Sequence, residues 1–208
     1  MISGPAIASS SRRYVWCAVA VVFVLLAVGT IAVDVHTHEM PVPMDIQLPL
    51  LMKVLSADRE LRARAGDELV IGVFYQERYR ASLSAMESIL EVADRSLQAP
   101  LPDQTVRLVP VPIDGEPNWR SLIVELELDV CYVAPLRAVG VDGLLSATRS
   151  TRAISCTGVP DYIEAGVAFG FDTRGGKPEI VINVDAAKAE GIDFSSQLLK
   201  LARIIDKD

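Results

Sequence analysis

The sequence predicts a three-layer α/β domain: a mostly parallel sheet flanked by helices, closed by a C-terminal antiparallel β-hairpin and a terminal helix, and preceded by one N-terminal transmembrane or signal helix. Three observations carry that expectation. Short Val- and Ile-rich runs alternate with longer helical patterns, the order that right-handed crossovers turn into a parallel sheet covered on both faces. Gly175-Gly176 separates two further strand patterns, a hairpin signal. Residues 14–33 carry no charge at all.

The N-terminal run comes first. From Tyr14 to Val33 it is about 30 Å long if helical, enough to cross a bilayer. Arg12 and Arg13 precede it and Asp34 and Glu39 follow, so the positive-inside rule keeps residues 1–13 in the cytoplasm and exports what comes after. The run exceeds the usual span of about 7 to 15 apolar residues in a signal peptide, which favours a retained inner-membrane anchor with the domain in the periplasm. The alternative is secretion to the periplasm after cleavage at Ala27-Val28-Gly29 or Thr30-Ile31-Ala32. Ser11-Arg12-Arg13 is followed by Tyr-Val-Trp and a long apolar core, a weak match to a twin-arginine signal.

Residues 34–45, with Pro41 and Pro43, read as a short extended stalk, and 46–208 as the extracytoplasmic domain. Within it the patterns place helices over 46–63, 81–97, 117–126 and 136–148, and strands over 68–75, 105–112, 129–134 and 151–157. Pro49 fits the first helix only if it falls in the first turn. Val167–Asp172 and Glu179–Asn183 form the hairpin, and the two helices of the terminal segment cover a face. The last of these spans 194–205. Its apolar residues at 194, 198, 201 and 205 fall on one stripe, Asp193 or Ser195 can cap it, and Lys200 and Arg203 suit its negative end. That stripe is read as core packing, with no side chain of the helix assigned to binding.

Charge narrows the partners. The chain has a formal net charge of −7; without Arg12 and Arg13, its only charges before position 34, the remainder has 18 basic against 27 acidic residues, or −9. An acidic surface argues against nucleic acid or anionic lipid.

The search for chemistry yields little. No Gly-x-Gly-x-x-Gly or Gly-Lys-Ser follows the first strand, so a nucleotide site and its cofactor are not expected. Arg78 and Arg80 occupy that position instead, outside the carboxyl end of the strand, where doubly wound sheets take ligands; solvated loop arginines are the plainer reading. Arg174-Gly-Gly-Lys177 reads as a solvated turn. The only histidines, His36 and His38 beside Glu39, alternate along an extended stalk and so point apart, which disfavours a metal. Their position leaves the domain without a histidine base for a Ser or Cys nucleophile. Glu125 with Glu127, Asp142, and Asp161 with Glu164 have the spacing of solvated surface carboxylates. No catalytic, cofactor or metal residue is assigned, and the chain is read as a non-enzyme.

Cys131 and Cys156 are the only thiols outside the apolar run, in an exported domain where disulfides form. Aligning the strand ends at Ala134 and Thr157 sets them two residues out of register, about 6.6 Å along the strand. Added to the strand separation, that exceeds the usual Cα limit of about 7 Å for a bridge. A shift of one residue in a strand end would weaken the argument, so a disulfide stays open beside two buried free thiols.

Phe194-Ser-Ser-Gln-Leu-Leu-Lys-Leu-Ala-Arg-Ile-Ile205, with Glu179-Ile-Val-Ile-Asn-Val-Asp-Ala-Ala-Lys-Ala-Glu-Gly-Ile192 before it, resembles the closing segment of the YfiR-like family. Leu51-Met-Lys-Val-Leu-Ser-Ala-Asp-Arg-Glu-Leu61 and Val70-Ile-Gly-Val-Phe-Tyr75 resemble its opening helix and first strand. The resemblance implies a periplasmic regulator that binds the sensory part of an inner-membrane diguanylate cyclase, lowers cyclic-di-GMP synthesis and can self-associate as a homodimer. Family disulfides can govern stability, but their cysteine spacing is not matched here. The competing reading is a small-ligand-binding or transport-associated module that captures a solute at the carboxyl edge of the sheet.

Overall fold

The structure, a computed structural model, describes residues 39–96, 101 and 104–205. The chain divides into two units, Met1–Thr37 and His38–Asp208, and every described residue belongs to the second. The cytoplasmic segment 1–13, the membrane or signal run 14–33 and the two histidines lie outside the described residues. Among those described, no helix is long and apolar enough to cross a membrane.

The elements follow in chain order. Helices α1 (Met44–Leu55) and α2 (Leu61–Ala65) lead into β1 (Glu68–Tyr75), α3 (Arg80–Ser96), β2 (Thr105–Pro112), α4 (Trp119–Glu125) and β3 (Val130–Val133). Then come α5 (Asp142–Thr151), β4 (Ile154–Thr157), α6 (Pro160–Ala165), β5 (Phe169–Arg174) and β6 (Lys177–Asn183). The chain closes with α7 (Val184–Ala189), α8 (Ser196–Leu201) and β7 (Arg203–Ile205).

Seven strands form one sheet in the order β2-β1-β3-β4-β5-β6-β7. All neighbours are parallel except β5 and β6, which pair antiparallel about the Gly175-Gly176 turn. The three-layer, mostly parallel architecture with its hairpin is therefore present. After its first residue β1 is buried throughout, as a strand covered on both faces must be. Alternation along it sorts the core: Leu69, Ile71, Val73 and Tyr75 join a layer with α1, α3, α7 and α8, while Val70 and Phe74 join one with α4, α5 and α6.

Several boundaries differ from the sequence expectation. The helix expected over 46–63 is two, because the chain turns at Asp58, whose buried carboxylate accepts from the amides of Glu60 (3.1 Å) and Asp193 (3.0 Å). Pro49 lies in the interior of α1, not its first turn. Pro49 and Asp45 are exposed, so the hydrogen bond the ring removes is lost on the wet face, where water can replace it. The domain starts before position 46, since Val42 is buried and its carbonyl accepts from the Gln47 side chain at 2.6 Å.

Helix α5 starts at Asp142 rather than 136. The intervening loop turns through Ala138 at φ +59 and is held by the Tyr162 hydroxyl, which accepts from the Leu136 amide at 2.8 Å. Helix α6 was unforeseen, although Pro160 at its start and Gly166 at its end are its punctuation. The expected helix over 194–205 ends at Leu201. Arg203 instead opens a short strand, drawn into line by Asp172 (2.6 Å) and Glu179 (3.0 Å), with Ile204 opposite Ile182.

One buried carboxylate ties the terminal segment to the sheet. Glu190, fully buried, accepts from the Thr148 hydroxyl (2.6 Å), the Ser155 hydroxyl (2.7 Å) and the Ser155 amide (2.8 Å). The Ser155 hydroxyl in turn accepts from the Ala168 amide at 2.9 Å, so α5, β4, β5 and the end of α7 meet at one group. Burial pushes the carboxyl up from its ordinary range, and the three donors pull it part of the way back. Replacing Glu190 with Ala strips three buried donors of their acceptor and should cost about 3 kcal/mol, read as a lower urea midpoint at unchanged m-value.

Candidate functional site

Arg78 and Arg80 lie where the sequence puts them, outside the carboxyl end of β1, and both are exposed. Strand order reverses direction at β1, so this is the switch point at which a ligand crevice opens in such sheets. Gln76 bridges it. Its amide oxygen accepts from the Arg137 amide at 2.6 Å and its amide nitrogen donates to the Arg137 carbonyl at 3.2 Å, prolonging the β1–β3 contact beyond the strands. The Gln76 backbone amide donates to the buried Ser82 hydroxyl at 2.9 Å, which fixes the turn into α3.

The cysteines are free and buried, and they face opposite sides of the sheet. Tyr132 pairs with Cys156, so Cys131 lies opposite Ser155, one residue out of register rather than two. An odd offset puts two side chains on different faces, and no bridge can pass through the sheet. What separates the two thiols in this register is parity rather than distance. Burial pushes both thiols well above their ordinary range, with Glu190 adding to the effect. Both should resist alkylation in the native protein at neutral pH and react fully in guanidinium; a reductant should leave Tm unchanged.

Glu125, Glu127, Asp142, Asp161 and Glu164 are all exposed. Among the described residues no group of three or more His, Cys, Asp or Glu side chains is arranged to hold a metal. Arg174 to Lys177 forms the hairpin turn, with Arg174 3.4 Å from Glu179.

A groove lies instead at the segment the sequence assigned to packing. The chain after α1 runs beside the chain before α8: the Arg59 amide donates to the Asp193 carbonyl (3.0 Å), the Ser195 amide to the Ala57 carbonyl (2.9 Å), and Asp58 bridges Phe194 antiparallel. Asp58 braces this clip from beneath through its ion pair with Arg64 at 3.0 Å, and Arg59 meets Asp193 at 3.2 Å on the outside. Ser195 caps α8 by accepting from the Leu198 amide at 3.4 Å. The resulting cavity, about 430 Å³, is lined by Ala57, Leu198 and Leu201, with Lys53, Ser56, Asp58, Arg59, Ser195 and Gln197 around them. Phe194 and Leu198 are buried as their stripe predicts, but Leu201 is 71% exposed and Ile204 37%. Sequence reasoning missed this because it let the helix run on; two β-branched residues after Arg203 were the available sign of a strand.

A seven-stranded, mostly parallel sheet covered by helices on both faces places the domain in the three-layer α/β class. The profile of the YfiR/HmsC-like family matches residues 60–203, most of the chain, and the protein belongs to that family. No curated protein matches the chain. Two solved structures share the fold. One is the ABC domain in complex with L-Trp from Streptococcus pneumonia, 16% identical with a TM-score of 0.52, over 78% of this chain and 62% of that one. The other is a conserved domain protein from Vibrio cholerae O1 biovar eltor, 19% identical with a TM-score of 0.51, over 79% of this chain and 60% of that one. The chain thus spans about three-fifths of the length of each.

Proposed function

We propose that this protein is a non-catalytic extracytoplasmic regulator that binds and restrains a membrane signalling protein, and that the groove between α1 and α8 is where it does so. The observation that carries the reading is the exposure of Leu201 beside Lys53 and Arg59 in a member of the YfiR/HmsC-like family. Burying that leucine against a partner would contribute about 2 kcal/mol. Lys53, beside the Arg59–Asp193 pair, favours a partner segment that sets a carboxylate next to its apolar residue.

The partner proposed is the periplasmic part of an inner-membrane diguanylate cyclase. The domain would hold the cyclase in its inactive conformation, and a signal that weakens binding would release it, which requires unequal affinity for the two receptor states. Residues 14–33 keep the domain at the membrane, with 1–13 in the cytoplasm, and a homodimer on the same surface would compete with the receptor. The alternative, a solute-binding or transport-associated module working at Arg78 and Arg80, is less well supported because Gln76 bridges that crevice.

The test is co-purification from crosslinked membranes through a C-terminal tag, with cyclase activity assayed in what is recovered. Recovery of a membrane signalling protein whose activity falls on binding is the expected result, and recovery of none sinks the proposal. Leu201→Asp should abolish capture while leaving Tm within about 2 °C, since the position is exposed. A retained anchor keeps the protein in the membrane fraction; cleavage would instead release a chain about thirty residues shorter on osmotic shock.

A further inference from the structure

A second cavity, about 270 Å³, opens at the amino ends of β3 and β4. Its walls include Arg64, Val124, Glu127, Leu128, Asp129 and Arg152. Two of these residues hold backbone conformations that L side chains rarely adopt.

The turn after α4 closes with a double bond pattern: the Leu128 amide donates to the Ile123 carbonyl (2.9 Å) and the Glu127 amide to the Val124 carbonyl (3.3 Å). That pattern puts residue 127 in the left-handed region, at φ +51. The same pair of bonds ends α6 and α7, and there the equivalent residues are Gly166 and Gly191. This chain therefore uses glycine at two such turns and a glutamate at the third. Arg152, which ends α5 at φ +62, is a second charged residue in the left-handed region. Arg64 props it, donating to its carbonyl at 3.3 Å and to the Gly191 carbonyl at 3.1 Å. Glycine would satisfy both backbones with less strain, so both positions carry a charged side chain that the turn itself does not require.

Both line one cavity, and neither makes an ion pair or a side-chain hydrogen bond among the described residues. Beside them, the half-buried Asp129 accepts from the Val70 amide at 2.9 Å. Two carboxylates and two guanidiniums, Arg64 committed to Asp58 and Arg152 without an ion pair among the described residues, suit neither a simple anion nor a simple cation in so small a space. Val124 and Leu128 add an apolar wall, and the volume has room for a solute of about nine non-hydrogen atoms.

We propose that this cavity binds a small aliphatic zwitterion of the α-amino acid class. Glu127 and Asp129 take its ammonium, Arg152 takes its carboxylate, and Val124 and Leu128 meet its hydrocarbon. The site is separate from the crevice at Arg78 and Arg80 and from the groove at Leu201. An occupant nonetheless contacts Arg64, the guanidinium that braces Asp58 beneath that groove.

The full-length protein in detergent is titrated calorimetrically with L-leucine, and separately with 3-methylbutylamine and 4-methylpentanoate, which carry one charge each. Saturable binding of L-leucine, at least tenfold tighter than either half-molecule, is expected. Glu127→Gly and Arg152→Gly should each raise Tm by about 2–4 °C through relief of the left-handed strain, and each should weaken L-leucine at least tenfold. The gain in Tm shows that the variants fold. No saturable heat from L-leucine up to about 10 mM overturns the proposal. So does unchanged L-leucine affinity in both variants. Because the titration uses this protein alone, its failure leaves receptor capture at Leu201 untouched, and failed capture leaves the titration untouched.

Discussion

Two-sided burial of the central sheet is the constraint from which the rest of the structure follows. Along β1 and β3 every side chain after Glu68 must enter one of two packed layers, so residue parity decides which helices it meets. Phe74 reaches Trp119 of α4, ring centroids 5.3 Å apart, while its neighbour Tyr75 packs with the helices of the opposite face. The same rule separates Cys131 from Cys156 and lines Tyr132 up with α1. A one-residue slip of any central strand would exchange the two layers and bury the wrong set on each side.

Polar groups inside such a sheet must be satisfied locally, and here they join distant segments. Tyr132, fully buried on β3, donates to the Gln47 side chain of α1 at 2.9 Å, and Gln47 donates onward to the Val42 carbonyl. The start of the domain is thereby fastened over the centre of the sheet. Glu190 does the same for the end of α7, and Asp58 for the turn between α1 and α2. Glu190 and Asp58 are acceptors meeting several donors at once, an arrangement in which the loss of the acceptor costs more than the bond itself contributes. These three side chains explain how a chain that builds its sheet from the middle outward still holds both ends in place.

What could be read from the sequence was the part governed by period and by composition. The Val-Ile runs gave the strands and the Gly175-Gly176 pair gave the hairpin, because those signals are local. The YfiR-like resemblance was legible from both ends of the domain for the same reason: its residues sit in continuous segments. Boundaries failed where a distant partner decides them. Nothing near Arg203 announces that Asp172 and Glu179 will pull it into a strand, and nothing near residue 58 says that Asp193 will bend the first helix in two. The cysteine argument failed differently: it measured separation along the strand when the deciding quantity was whether the offset is odd or even, and a one-residue error changes that entirely.

The exposure of Leu201 follows from the same competition. A helix continuing to 205 would keep residues 194, 198, 201 and 205 on one buried stripe. Ending it at Leu201 lets Ile204 and Ile205 add a strand to β6 and gives Arg203 two carboxylates, Asp172 and Glu179, 26% and 16% exposed, as partners. The cost is a leucine turned to solvent at the lip of a groove. Such a trade is tolerable in a free domain because one exposed leucine forfeits only about 2 kcal/mol of burial. It becomes favourable if another surface covers that leucine, as in the proposed complex, so the strand that completes the sheet and the exposed side chain come from one choice of where to stop a helix.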